Sequence, residues 1–487
     1  MADKENLPVG ENNDLSAANI LMRIAVAFFV FWALFAILSY RCLYADGSHD
    51  FVRVLQDRNF IPLMWSRQFS VHLFQLPMVL AIKLGVVDLR WLRYAFGLGC
   101  FLPWVVTLAV CRWLSPKNFW LVVVGCAAGY LNAAYMAMGE HIMAHALFWP
   151  ALYVVLFARP LKPMAAIVLL ATATGLLFSY ESQLFLSSTL AALTVRRLFE
   201  EDRQARSTSK SGAFPKLVFL AAIILFLISV GVALYSLRYP ELPGQYEGFL
   251  SRLERVVSHA GWTLTWTAVW AGLTLAACWS DKFWELLRRP ILMIPGVLAL
   301  ALWGLWPCLA PDALDTAVQY ENRILDLLVP LALVPVALTL HYRPQWIQFK
   351  ISRLVCMAAA LLLAQSLWQI CATIRWQADT AKLKTILSER NGVVPLHKSP
   401  LDKTSIQGHE YIFDWTWPCL SIALAPDPNI HSLVVSEWFL NPDYKNIGYW
   451  EPFSPIEADQ LPDLSYFGIN FTNYVFYFRQ QQGQPAR

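Results

Sequence analysis

Charge is what this chain of 487 residues lacks most: Asp, Glu, Lys and Arg make up 15% of it, against about 25% in soluble domains. Apolar residues reach 57% and the mean hydropathy is +0.45, so much of the chain meets lipid rather than water. The net charge of +4 is small and spread out, which excludes the concentrated basic face of a nucleic-acid-binding protein. The nine cysteines show no CxxC or Cys/His metal spacing, and only Cys419 lies in the polar tail. No disulfide framework is therefore written in the sequence. No internal repeat is visible, and the first apolar run has no small-residue cleavage site. That run is longer than a signal-peptide core and reads as a retained span.

Long apolar runs are what the chain has instead. They cover residues 24–42, 69–87, 94–113, 119–138, 142–158, 164–195, 217–237, 260–279, 291–310, 324–340 and 354–372. At about 20 residues per span, this predicts about eleven transmembrane helices. The run 164–195 is too long for one span and is interrupted by Ser179-Tyr180-Glu181-Ser182; it is one tilted helix or two short ones. Segments 196–216, 280–290 and 341–353 hold six, three and three Lys or Arg, whereas 238–259 and 311–323 hold four together. The positive-inside rule puts the richer set in the cytoplasm and the region after residue 372 on the translocated side. With residue 1 cytoplasmic and 164–195 a single span, Glu140 falls near the cytoplasmic face; two spans there reverse the parity.

The expected fold is a polytopic α-helical membrane protein with a small α+β C-terminal soluble domain. Its divisions are a cytoplasmic tail (1–19), a membrane domain (20–374) and an extracytoplasmic domain (375–487). In the last of these, apolar runs at 419–425, 432–435 and 474–478 have strand length and are bounded by Pro, Asp and Asn.

Four places carry candidate chemistry. The loop after the first run contains Asp46, His49, Asp50 and Arg53; a carboxylate there suits a general base on a hydroxyl, or belongs to an ordinary solvated loop. His141 and His145 follow Glu140 at i, i+4 spacing on one helix face, but the order is not HExxH and no third ligand is evident. Glu181 interrupts an apolar stretch, where a charge marks a cavity, a pathway or a partner. Glu321 and Arg323 precede the run 324–340. A guanidinium at that membrane surface matches a phosphate, or serves as an interfacial anchor.

This layout resembles the GT-C superfamily of membrane glycosyltransferases. An acidic motif follows the first span (Asp46, Asp50), a second acidic position lies between later spans (Glu140 or Glu181), and an Arg precedes a late proline-containing span (Arg323, then Pro330 and Pro335). The resemblance implies a sugar donor on a polyprenyl phosphate, an extracytoplasmic glycan, lipopolysaccharide or protein acceptor, and no metal or cofactor. It implies Asp50 or Asp46 as base, the four-residue spacing leaving both open, and Arg323 on the phosphate. His49, Arg53, Glu140, His141, His145, Glu181 and Glu321 would then line the substrates, in a bacterial inner membrane. The alternative reading is a polytopic transporter or lipid flippase. It accounts for the spans and Glu181 but predicts repeated halves.

Overall fold

The computed structural model describes residues 9–61, 65–130, 139–208, 213–239, 261–309, 318–343, 351–396, 399, 401, 416–435 and 461–471. The protein is an α-helical membrane protein. Among the described residues, five helices are long and apolar enough to cross a bilayer, or six if one bent pair counts as a single span.

The first of the five lies within α1 (Val9–Leu38). A turn of 3-10 helix, Arg41–Leu43, leads into α2 (Asp46–Asp57). The turn Trp65–Arg67 then starts α3 (Gln68–Lys83), which folds back along α4 (Leu89–Leu114). Asp88 caps α4 by accepting from the Arg90 amide at 2.8 Å. The two backbones meet at Gly99, where a Cβ would sit 1.8 Å from the Phe74 carbonyl oxygen. Tyr40 stacks on Tyr94 at 5.4 Å, so the start of α4 lies beside the end of α1. The C-terminal end of α3 thus lies towards the end of the bundle where α1 finishes. With only 16 residues, against the roughly 20 a span needs, α3 is not among the long apolar helices. Of the expected span at 69–87, the structure gives a helix to Lys83, and the last residues of the run form the turn into α4.

Helices α5 (Phe119–Gly129), α6 (Glu140–Phe157), α7 (Pro163–Leu176), α8 (Gln183–Thr208) and α9 (Ala213–Arg238) follow. The run 164–195 is therefore two helices, parted at residues 177–182. In keeping with the two-helix alternative, the start of α6, with Glu140, lies at the α2 end of the bundle. Next come α10 (Gly261–Trp279), α11 (Asp281–Arg288), α12 (Pro290–Leu309) and α13 (Val318–Tyr342). A 76° bend separates α11 from α12.

Helix α14 (Ile351–Glu389) has 39 residues, about 58 Å at 1.5 Å per residue, and continues past the expected domain boundary at 374. It packs along α1, α5 and α12. Its polar row Gln365, Gln369 and Thr373, spaced by four, faces inward. Arg41, fully buried, donates to the Gln369 carbonyl and the Thr373 hydroxyl, each at 2.9 Å. Gln365 and Gln369 donate to the Tyr130 carbonyl at 2.6 and 2.7 Å, and the Trp376 indole donates to Ser39 O at 3.0 Å. These bonds fix the exit of α1, and with it the entry to α2.

Beyond α14 a two-stranded parallel sheet joins β1 (Gly392–Pro395) to β2 (Ser432–Val435), with Gly392 opposite Ser432. Between them lies α15 (Trp417–Leu424), packed on α2, α14 and β2. The run 419–425, expected as a strand, is helical. A short, uniformly apolar run has no period to separate the two, and Pro418 suits a first helical turn. The run 474–478 lies outside the described residues.

Candidate functional site

The first turns of helix α2 are buried all round, from Gly47 to Val52, with Val54 and Leu55 beyond them. Ala45, at φ 51°, turns the chain sharply, and Asp46 then occupies the first turn, where the helix dipole favours a carboxylate. That role leaves Asp46 half-buried at the rim. Asp50, one turn on, is 1% exposed. His49 Nδ1 lies 3.3 Å from its Oδ1. Burial pushes the Asp50 carboxyl above the ordinary carboxylate value; His49 and Arg53 oppose this, and Glu140 adds to it. Arg53 is half-buried on the same helix.

Glu140 links Asp50 to a second group. Arg67 donates from Nε and Nη2 to Glu181 Oε1 at 3.0 and 2.9 Å, and its Nη1 lies 3.8 Å from Glu140 Oε1. Its guanidinium lies 4.7 Å from the Tyr180 ring centroid. Burial alone would lower the Arg67 pKa, but Tyr180, Glu181 and Glu140 outweigh it and hold the group above its usual value. The meeting is set by backbone: the Phe69 amide donates to Phe178 O at 2.8 Å, pinning the start of α3 to the turn between α7 and α8. That turn carries Glu181.

The structure therefore brings together Asp50, His49, Arg53, Glu140 and Glu181, which lie far apart in sequence. His141 joins them, its ring 5.8 Å from Tyr180. His145 does not. It is buried one turn deeper, 5.2 Å from Trp104 and 6.0 Å from Trp149, and belongs to the helix core rather than to a substrate surface. Glu321 and Arg323 fall within α13, but their side chains lie outside the described residues. Among the described residues no three His, Cys, Asp or Glu side chains are grouped to hold a metal ion.

Comparison with protein-family models, curated proteins and solved structures gives no match. The site stands on its own geometry.

Two residues of the cluster escape sequence reasoning. Arg67 follows Trp65-Ser66 at the edge of an apolar run, where a lone arginine looks like an interfacial anchor. Only the carboxylates of α6 and of the 177–182 turn give it a role, and they lie 73 and 114 residues away (140 − 67 and 181 − 67). Cys419 is a lone cysteine of the polar tail, and nothing in its sequence neighbourhood points to Asp50. Its thiol is pushed up to about 12 by burial, with Asp50 adding to the effect. Helix α15 therefore roofs Asp50.

Proposed function

We propose that the protein is a GT-C-type membrane glycosyltransferase that moves a sugar from a polyprenyl phosphate to an extracytoplasmic acceptor, with Asp50 as general base. The observation that carries this is Asp50 itself: a buried carboxylate with raised proton affinity, beside His49 and within electrostatic reach of Glu140. A base works best with a pKa near the working pH, and perturbed carboxylates gather at functional sites. Asp46, at the rim, does not share this environment.

In the proposed step the acceptor oxygen attacks the anomeric carbon and gives its proton to Asp50. The bond from that carbon to the phosphate oxygen breaks, and polyprenyl phosphate leaves. Arg67 is committed to Glu181 and Glu140, so it shapes the site and offsets their charge. The phosphate falls to Arg323 in the first turns of α13, as the layout implies, where a cation offsets the growing negative charge.

Sidedness supports the reading. Arg159, Arg196, Arg197, Lys216 and Arg353 lie at the end of the bundle opposite Asp50, as the pairings of the α6, α8, α9 and α14 termini indicate. The positive-inside rule makes that end cytoplasmic. On the reading of about eleven crossings, residue 1 is cytoplasmic and the C-terminal α+β region, whose α15 packs on α2, lies on the Asp50 side.

The test is single-turnover release of polyprenyl phosphate from a labelled polyprenyl-phosphate sugar. Asp50→Asn is expected to slow it about 10²–10⁴-fold, and Asp46→Asn by far less. Parental rates in Asp50→Asn and in the double variant would remove the catalytic claim for α2.

A further inference from the structure

A cavity of about 410 Å³ opens between α1, α4 and the first turns of α5 and α14, at the end of the bundle opposite Asp50. That volume falls within the roughly 300–1,000 Å³ of small-ligand clefts. Its walls are apolar, with Val26, Ala27 and Val30 on α1 facing Val105, Leu108 and Ala109 on α4. Two cations, Arg23 and Arg112, line it as well. Arg23 stands about 22 Å along the helix axis from Leu38, at 1.5 Å per residue, so this cleft is remote from the Asp50 cluster.

Several of the charges at this end are paired. Arg159 and Arg196 pair with Glu200, Arg197 with Glu201, Lys216 with Asp202 and Arg353 with Asp281. Arg23 and Arg112 have no carboxylate partner among the described residues, although they border one cavity. The Arg112 guanidinium lies 5.7 Å from the centroid of the Phe119 ring, itself part of the lining. Trp113, 53% exposed, adjoins Arg112, as expected of a side chain at headgroup depth.

We infer that this cleft is a binding site for an anionic phospholipid of the adjacent leaflet. The headgroup phosphate would lie between Arg23 and Arg112, and an acyl chain would run along the Val26–Val30 and Val105–Ala109 walls. Two cations at headgroup depth above an apolar groove match an amphiphile with one negative charge; a soluble anion would leave the apolar walls uncovered. Basic pockets between spanning helices hold acidic lipids by this logic.

Native mass spectrometry of the detergent-purified full chain, titrated with phosphatidylglycerol or phosphatidylcholine, tests the inference. The parental protein should retain phosphatidylglycerol preferentially, and inorganic phosphate at equal concentration should not displace it. Arg23→Gln with Arg112→Gln should weaken retention on the order of tenfold, whereas the double Lys variant should keep most of it. Ala109→Phe fills the groove from an exposed position and leaves both arginines intact; it should also reduce binding. Equal retention of the two lipids, unchanged retention in the double Gln variant, or displacement by inorganic phosphate would each overturn the assignment.

Discussion

Burial raises the proton affinity of Asp50, Glu140 raises it further, and His49 and Arg53 work against both. Only the ionised carboxylate accepts a proton, so turnover should rise with pH along a limb lying above the usual Asp value of about 3.9. Glu140→Gln removes a like charge and should move that limb to lower pH; His49→Asn removes an opposing contact and should move it higher. A pH–rate profile of each variant reads the shift directly. The same sign governs stability. A carboxyl whose folded pKa is raised contributes stability below its unfolded pKa and loses it as pH rises through the folded pKa. At neutral pH Asp50→Asn should therefore raise the thermal midpoint while slowing turnover by the factor given above, a stability gain bought by loss of function. Arg67 behaves oppositely. Its side chain is 12% exposed and that of Glu181 13%, so Arg67→Met leaves carboxylates without their cation and should destabilise by on the order of 3 kcal/mol in detergent thermal unfolding. Adding Glu181→Met should recover part of that loss. Cys419, with its thiol at about 12, should resist maleimide in the folded protein, since the thiolate is the reactive form.

Helix existence was legible wherever an apolar run had span length: α4, α6, α9 and α10 begin and end within a few residues of the runs at 94–113, 142–158, 217–237 and 260–279. What was not legible is how neighbouring runs meet. Residues 69–87 have the composition of a span, but the α3–α4 hairpin needs a close backbone approach that only Gly99 permits, and hydropathy does not register contact. Gly99→Ala should part the two helices and lower the yield of folded protein, by fluorescence-detected size exclusion. The reason is steric, since a Cβ would fall on the Phe74 carbonyl. For residues 164–195 the structure bears out the second of the two alternatives, a pair of helices. The Ser179-Tyr180-Glu181-Ser182 interruption was visible, but its meaning depended on Arg67, whose side chain was unremarkable in sequence. The site was legible in the same uneven way. Glu181 was identifiable as a charge interrupting an apolar stretch, and Asp50 and Glu140 as acidic candidates beside spans, whereas the burial of Asp50, the role of Arg67 and the α15 roof emerge only when distant segments meet.

For the whole molecule the decisive question is which end faces outward. A periplasm-dependent reporter fused after Arg487 should be active, and a reporter active only in the cytoplasm would overturn the proposed sidedness of Asp50 and of the phospholipid cleft together. The long reach of α14 has a further consequence, in time rather than space. Arg41 donates to a carbonyl 328 residues downstream, so its acceptors on α14 do not exist when α1 enters the bilayer. At about 5–20 residues per second of synthesis, the delay is roughly 15–65 s. During that interval the cation at the exit of α1 must be served by water, lipid headgroups or a chaperone, and the loop that carries Asp50 has no fixed entry angle. A helix inserted early is completed late. A chain stalled before Gln369 should therefore be recognised by membrane quality control, although almost all of its apolar helices are already in place.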